Sequence, residues 1–142
     1  MNKKNFVLVI VIVIIVIVLS FNQNDGKKSN IVFHVTLANP DLYKNGIYSN
    51  SFNVDKGEYL FKFVSNGDSP QYLTILLKGK NYDFSENFKL KGTLHQTGMS
   101  EYYTWDYDGQ KEISISTPQK MIIEINPNGN DVGSVSVDIV EN

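Results

Sequence analysis

The 142-residue chain contains no cysteine and no arginine. Lack of cysteine excludes disulfides, thiol nucleophiles, thiolate-bound zinc, iron–sulfur clusters and a lipid on an N-terminal cysteine. All 13 basic side chains are lysines, set against 15 acidic ones, for a net charge of −2. A nucleic-acid binder would show a basic patch and usually the forked guanidinium grip on phosphate. Histidine is scarce, with two copies. Neither His34 nor His95 belongs to a paired-ligand motif, and a catalytic zinc wants three protein ligands. The composition therefore predicts no metal, no cofactor and no nucleic-acid partner.

A long apolar run is present. Phe6 to Leu19 is uninterrupted, behind Lys3 and Lys4, and Ser20-Phe21 closes it. As a helix, the 16 residues from Phe6 to Phe21 would cover about 24 Å against a hydrocarbon core of about 30 Å. Flanking lysines or a thinned bilayer can make up the difference. The segment has no polar face, so it must be surrounded by lipid or protein, and in lipid a helix satisfies its own backbone. The expectation is a membrane anchor or signal segment over residues 1–21, with the lipid bilayer as partner. Val18-Leu19-Ser20 offers a cleavage site poorer than Ala-x-Ala, so retention is preferred and removal is the alternative. Residues 22–30 are polar and read as a tether. Lys27 and Lys28 behind the run nearly balance Lys3 and Lys4, so the charge bias favours an outward-facing domain only slightly. The expected location is the cell membrane with the domain outside, or secretion if the leader is removed.

From Ile31 onward the hydrophobic period is two. Ile31, Phe33, Val35 and Leu37 share a strand face, as do Tyr59, Phe61 and Phe63, then Leu73, Ile75 and Leu77. Met121, Ile123 and Ile125, and later Val135, Val137 and Ile139, repeat the pattern. No later window sustains a 3.6 period. Turn dipeptides fall at Asn45-Gly46, Asn66-Gly67, Asp108-Gly109 and Asn128-Gly129. Asp108-Gly109, between Glu101–Tyr107 and Gln110–Ser116, predicts a hairpin, and Asn66-Gly67 predicts another. The fold expected for residues 31–142 is an all-β antiparallel sandwich, jelly-roll-like, of about eight or nine strands, preceded by one N-terminal hydrophobic helix.

The densest aromatic cluster is Glu101-Tyr102-Tyr103-Thr104-Trp105-Asp106-Tyr107-Asp108, with the one tryptophan of the chain. In a strand, Tyr103, Trp105 and Tyr107 share one face and Tyr102, Thr104 and Asp106 the other. Aromatic rows beside carboxylates bind sugars by ring stacking and hydroxyl hydrogen bonds. The competing reading makes the tryptophan face core. Tyr102, Tyr103, Trp105, Asp106 and Tyr107 are the candidate ligand-binding residues. Gly67-Asp68-Ser69-Pro70 lacks a legible base or following helix, so no catalytic residue is assigned. His95 lies in a stretch, Thr93 to Gly98, that reads as a loop. Asn126 to Gly133 is oxygen-rich, but its glycine is misplaced for a calcium loop and no glutamate closes it. It reads as a turn.

The run Phe52-Asn53-Val54-Asp55-Lys56-Gly57-Glu58-Tyr59-Leu60-Phe61-Lys62-Phe63 resembles a strand pair of secreted jelly-roll modules such as the pre-peptidase C-terminal domains. Gly133 to Ile139 is similar to their closing strand. The resemblance implies a jelly-roll sandwich. Those modules usually follow an enzyme, whereas a membrane segment precedes this one. Asp55-x-Gly57-x-Tyr59 also resembles the tyrosine corner of immunoglobulin domains. Together these readings lead to an expected non-enzymatic, membrane-anchored, extracytoplasmic binding module, its ligand envelope carbohydrate or another envelope protein. The alternative is a structural or accessory subunit of a cell-surface protein complex.

Overall fold

The computed structural model describes residues 30–142. The proposed anchor, Phe6 to Phe21, and nearly all of the tether lie outside the described residues. Among the described residues no helix is long and apolar enough to cross a membrane.

Nine strands form in the described residues: β1 (Ile31–Leu37), β2 (Tyr48–Val54), β3 (Gly57–Val64), β4 (Tyr72–Gly79), β5 (Tyr82–Thr97), β6 (Ser100–Asp108), β7 (Glu112–Ile115), β8 (Gln119–Asn126) and β9 (Val135–Glu141). A short 3-10 turn at Pro40–Leu42 follows β1, capped by the Asn39 side chain. The strands make two antiparallel sheets, a four-stranded one ordered β1-β9-β3-β7 and a five-stranded one ordered β2-β8-β4-β5-β6. The first strand pairs with the last, the second with the second-last and the third with the third-last. The chain is thus a long ribbon, closed at the β4–β5–β6 end and folded over on itself. Contacts of β9 with β3 and of β8 with β4 complete the two sheets.

Period-two alternation produces this layering directly. Phe33, Val35 and Leu37 of β1 point inward, and His34 and Thr36 point out. Leu73, Ile75 and Leu77 meet Ile123 and Ile125 on the inner face of the other sheet, all fully buried. Aromatic contacts tie the layers together. The Phe61 ring packs edge-on against Phe88 at 5.5 Å, and Phe63 lies 4.9 Å from Phe88 and 5.0 Å from Tyr107. On the far side Phe33 of one sheet meets Phe52 of the other at 5.1 Å. Tyr59 donates its hydroxyl hydrogen bond to the Asp55 carbonyl four residues upstream, 3.0 Å away, and its ring lies against Gly57. That is the tyrosine-corner contact, here inside a different strand order.

The turn dipeptides divide. Asn45-Gly46 makes a two-residue turn, with Lys44 and Ile47 exchanging backbone bonds and both central residues at positive φ, 52° and 78°. Asp108-Gly109 does not make the expected hairpin. One edge of β6 is already paired to β5 along its whole length, from Thr97↔Ser100 to Lys89↔Asp108, and β7 pairs β3 in the other sheet. Gly109 instead bends the chain between sheets at φ 153°, where an added Cβ would lie 2.6 Å from the Phe88 ring. Asn66-Gly67 is likewise a crossing, from β3 to β4, not a hairpin. There the buried Ser69 hydroxyl donates to the Ser134 carbonyl at 2.5 Å and accepts from the Asn66 amide at 2.9 Å. The actual hairpins turn on Lys80-Asn81 and Gly98-Met99. Residues 69–77 and 117–125 are alike in sequence, each with a proline and glutamine ahead of an apolar run, and they contain β4 and β8, which lie side by side.

The registers place the two ends of the described residues and the β5–β6 turn at opposite poles. Ile31 and Glu141 lie at one pole. The end of β1, the start of β2, the end of β3 and the loop after β8 lie at the other, below the Gly98-Met99 turn. The pairing of β4 with β5 stops at Tyr72↔Lys89, extended by one bond from the Leu90 amide to the Gln71 carbonyl. Beyond it, β5 and β6 run on together as a two-stranded arm of about 20 Å.

Phe61 is 1% exposed and contacts three other phenylalanine rings. Phe61→Ala is expected to cost about 3–5 kcal/mol in urea unfolding. A loss below about 1 kcal/mol would mean that these rings do not join the sheets.

Candidate binding surface on the projecting hairpin

The aromatic cluster lies on β6, and its inward row passes from core to solvent along the strand. Tyr107 sits opposite Leu90 inside the sandwich, 1% exposed, with its hydroxyl donating to the Pro70 carbonyl at 2.6 Å. This corrects the assignment of Tyr107 as a ligand-binding residue: the opposite sheet covers it. Burial pushes its phenol well above the ordinary 10.0. Two residues on, Trp105 is partly buried opposite Gly92. An added Cβ on Gly92 would lie 2.8 Å from the indole, and one on Gly67 would lie 3.2 Å from it. The two glycines together make the seat of the tryptophan. Two residues further, Tyr103 is 55% exposed opposite Leu94, itself 42% exposed, and its ring stacks on Trp105 at 5.7 Å.

The outward row is polar. Tyr102 is exposed and stacks at 4.9 Å on His95, whose Nε2 lies 2.8 Å from the Thr104 hydroxyl. Thr93 to Thr97 is therefore strand, not the expected loop. Asp106 is already engaged: one oxygen accepts from the Tyr107 amide at 2.8 Å and the other pairs with Lys111 at 2.5 Å. Lys111 also stands 5.7 Å over the Phe63 ring. Next to it Lys91 pairs with Asp108 at 2.5 Å and holds that carboxyl below its ordinary range. Of the five predicted residues, Tyr102 and Tyr103 are thus open to a partner, on opposite faces of the arm. Trp105 is half open, Asp106 has its own partners, and Tyr107 is core.

The sequence reading passed over Leu94 and Met99. Met99 caps the turn, fully exposed. The signal available for them was length: the alternation from Tyr82 to Thr97 runs 16 residues, twice that of β4, its partner. Other exposed apolar side chains share this pole, namely Leu42, Val64 and Val132. The oxygen-rich loop after β8 is a turn held by its own amides. The Asn128 side chain donates to the Tyr72 carbonyl and the Asn130 side chain to the Asp68 carbonyl. Tyr43, beneath the same pole, keeps a buried hydroxyl with no hydrogen-bond partner among the described residues.

On the outer face of the four-stranded sheet, His34 Nδ1 meets Asp138 at 2.5 Å and Thr36 meets Ser136 at 2.8 Å. Both are directly opposed cross-strand pairs, a ladder that stabilises the sheet. Among the described residues no group of three or more histidine or carboxylate side chains is placed to hold a metal. No known protein family matches the chain, nor does any curated protein or solved structure.

Two predictions follow from the tyrosines. Tyr107→Phe leaves the Pro70 carbonyl unpaired and is expected to cost about 1–3 kcal/mol, whereas Tyr43→Phe removes a hydroxyl without a partner and should not lower the melting temperature. A raised phenol pKa adds stability that is complete below the unfolded value of 10.0 and is lost as pH rises beyond it. Alkaline titration of stability should therefore fall above about pH 10, less steeply in Tyr107→Phe. In a third variant, Gly92→Ala should dislodge the indole and shift Trp105 emission to the red. Unchanged emission would place the indole elsewhere.

Proposed function

We propose that the chain is a membrane-anchored, extracytoplasmic β-sandwich of jelly-roll type that works by contact, as an accessory or structural subunit of a cell-surface assembly. The strand order supports the jelly-roll assignment, since first-to-last pairing of a folded ribbon is the plan of that fold. The pre-peptidase C-terminal-like stretches fall on β2, β3 and β9. One observation carries the function: the inward apolar row of the β5–β6 arm continues past the opposite sheet as Leu94, Tyr103 and Met99, uncovered. Exposed apolar groups gathered at one place mark interaction surfaces. The tether joins at the Ile31 pole, so an anchored chain would hold the arm away from its own bilayer.

Envelope carbohydrate is the second reading, favoured by Tyr103 stacked on Trp105 beside the Glu101 carboxylate. The protein-contact reading stands first because Tyr107 is buried, Trp105 is half-buried, Asp106 already has partners and Glu101 accepts from the Gln96 side chain at 2.7 Å, which leaves no open two-ring platform with a free acid.

The full chain, extracted in mild detergent, should run on native sizing as part of a larger assembly that a Leu94→Lys/Tyr103→Glu variant fails to enter. Trp105 emission should not respond to envelope polysaccharide. A blue shift with polysaccharide, absent in Tyr103→Ala, would move the function to sugar binding. Protease on intact cells should remove a C-terminal tag. A tag lost only after lysis would overturn the outward orientation.

A further inference from the structure

We infer that the β5–β6 arm is completed by strand addition: an extended segment of another protein, alternating apolar and basic side chains, pairs with the open edge of β5 where β4 leaves off. This rests on the contact reading above and names the chemistry of its partner.

The open edge follows from the register. The Leu90 amide bonds the Gln71 carbonyl, so even-numbered residues of β5 direct their backbone groups toward the β4 side. Gly92, Leu94 and Gln96 continue that row after β4 has ended. Among the described residues no strand pairs with their amides and carbonyls on that side. The other edge of the arm is different: the Trp105 carbonyl there accepts the Ser65 hydroxyl at 3.0 Å, so a loop of the same chain already occupies its base. A two-stranded ribbon alone is marginal in water, and a third strand with an apolar face makes it stable. Strand addition supplies both the missing ladder and cover for Leu94 and Tyr103.

The charge at this pole selects the partner. The loops 38–47, 65–71 and 127–134 and the arm 92–104 carry Asp41, Asp68, Glu101 and Asp131 against the single lysine Lys44. Among the described residues none of these four carboxylates is in an ion pair. A second copy of the chain would bring the same acids against them. A strand with lysine or arginine at alternate positions would be attracted, and its apolar positions would meet Leu94 and Tyr103.

The test uses the full chain in detergent micelles and two synthetic peptides, one of alternating lysine and valine, one of alternating glutamate and valine. The lysine peptide is expected to bind, to slow amide exchange at Gly92, Leu94 and Gln96, and to shift Trp105 emission. Gln96→Pro removes an amide from the open edge together with the Gln96 Nε2–Glu101 hydrogen bond at 2.7 Å, so it is compared with Gln96→Ala, which loses that side-chain bond alone; relative to Gln96→Ala it should weaken binding about tenfold while leaving the β5–β6 ladder protected. Leu94→Lys should abolish it. No binding of the lysine peptide, equal binding of the glutamate peptide, or the same affinity in Gln96→Pro as in Gln96→Ala overturns the proposal. So does protection of the three amides without peptide that rises with protein concentration, since a second copy would then fill the edge. If the peptide fails but the Leu94→Lys/Tyr103→Glu chain still drops out of its native assembly, the contact reading survives and strand addition does not.

Discussion

Mutual cover of two apolar sheet faces is the constraint on which the rest depends. Phe61 and Phe63 on one side and Phe84, Phe88 and Tyr107 on the other must meet for either sheet to leave water. Where the cover is complete, side chains such as Leu73 and Ile123 are wholly buried and their neighbours on the strand are polar. Where one sheet outruns the other, the same alternation produces an exposed apolar surface. The candidate binding surface is therefore the part of the core pattern that the opposite sheet does not reach.

Turn chemistry shows how such a pattern is used. Asn-Gly and Asp-Gly dipeptides supply the backbone conformations of sharp bends, and all four here lie in connections that carry the chain from one sheet to the other, Asn45-Gly46 as a two-residue turn within its connection. A two-residue hairpin and a bend between sheets draw on the same conformational freedom. Which one forms depends on the sheet in which the following strand finds its partner. β7 pairs β3 in the other sheet, so the chain crosses at Asp108-Gly109 and β6 stays an edge strand. Glycine also serves by absence of bulk: Gly92 and Gly67 leave room for the indole, which lets the inward row of β6 step gradually from core to solvent.

The two poles separate attachment from contact. Both ends of the described residues lie at the pole away from the arm, with the Glu141 amide bonded to the Asn30 carbonyl. The loops under the arm are cross-braced by side-chain amides and the Ser69 hydroxyl. A projecting ribbon on a braced base can be rigid where it leaves the sandwich and still open along its edge. That combination suits recognition by backbone pairing, in which the ladder supplies affinity and alternate side chains supply selectivity.

Local pattern alone determined the all-β class, the inward residues of most strands, and the absence of thiol and guanidinium chemistry, because each is set by a period of two or by composition; the Tyr59 contact was suggested by a resemblance among residues close in the chain. Local pattern also located the aromatic cluster on the strand that carries the arm. Only the tertiary structure decided which members of that cluster are open. Tyr107, Trp105 and Tyr103 are equivalent by alternation, and their burial differs because the opposite sheet ends beneath Trp105. The same holds for Asp106, whose partner Lys111 comes from the far side of a bend. Pairing partners, the length of the arm and its open edge are relations between segments distant in sequence, and a short window of residues carries no term for them.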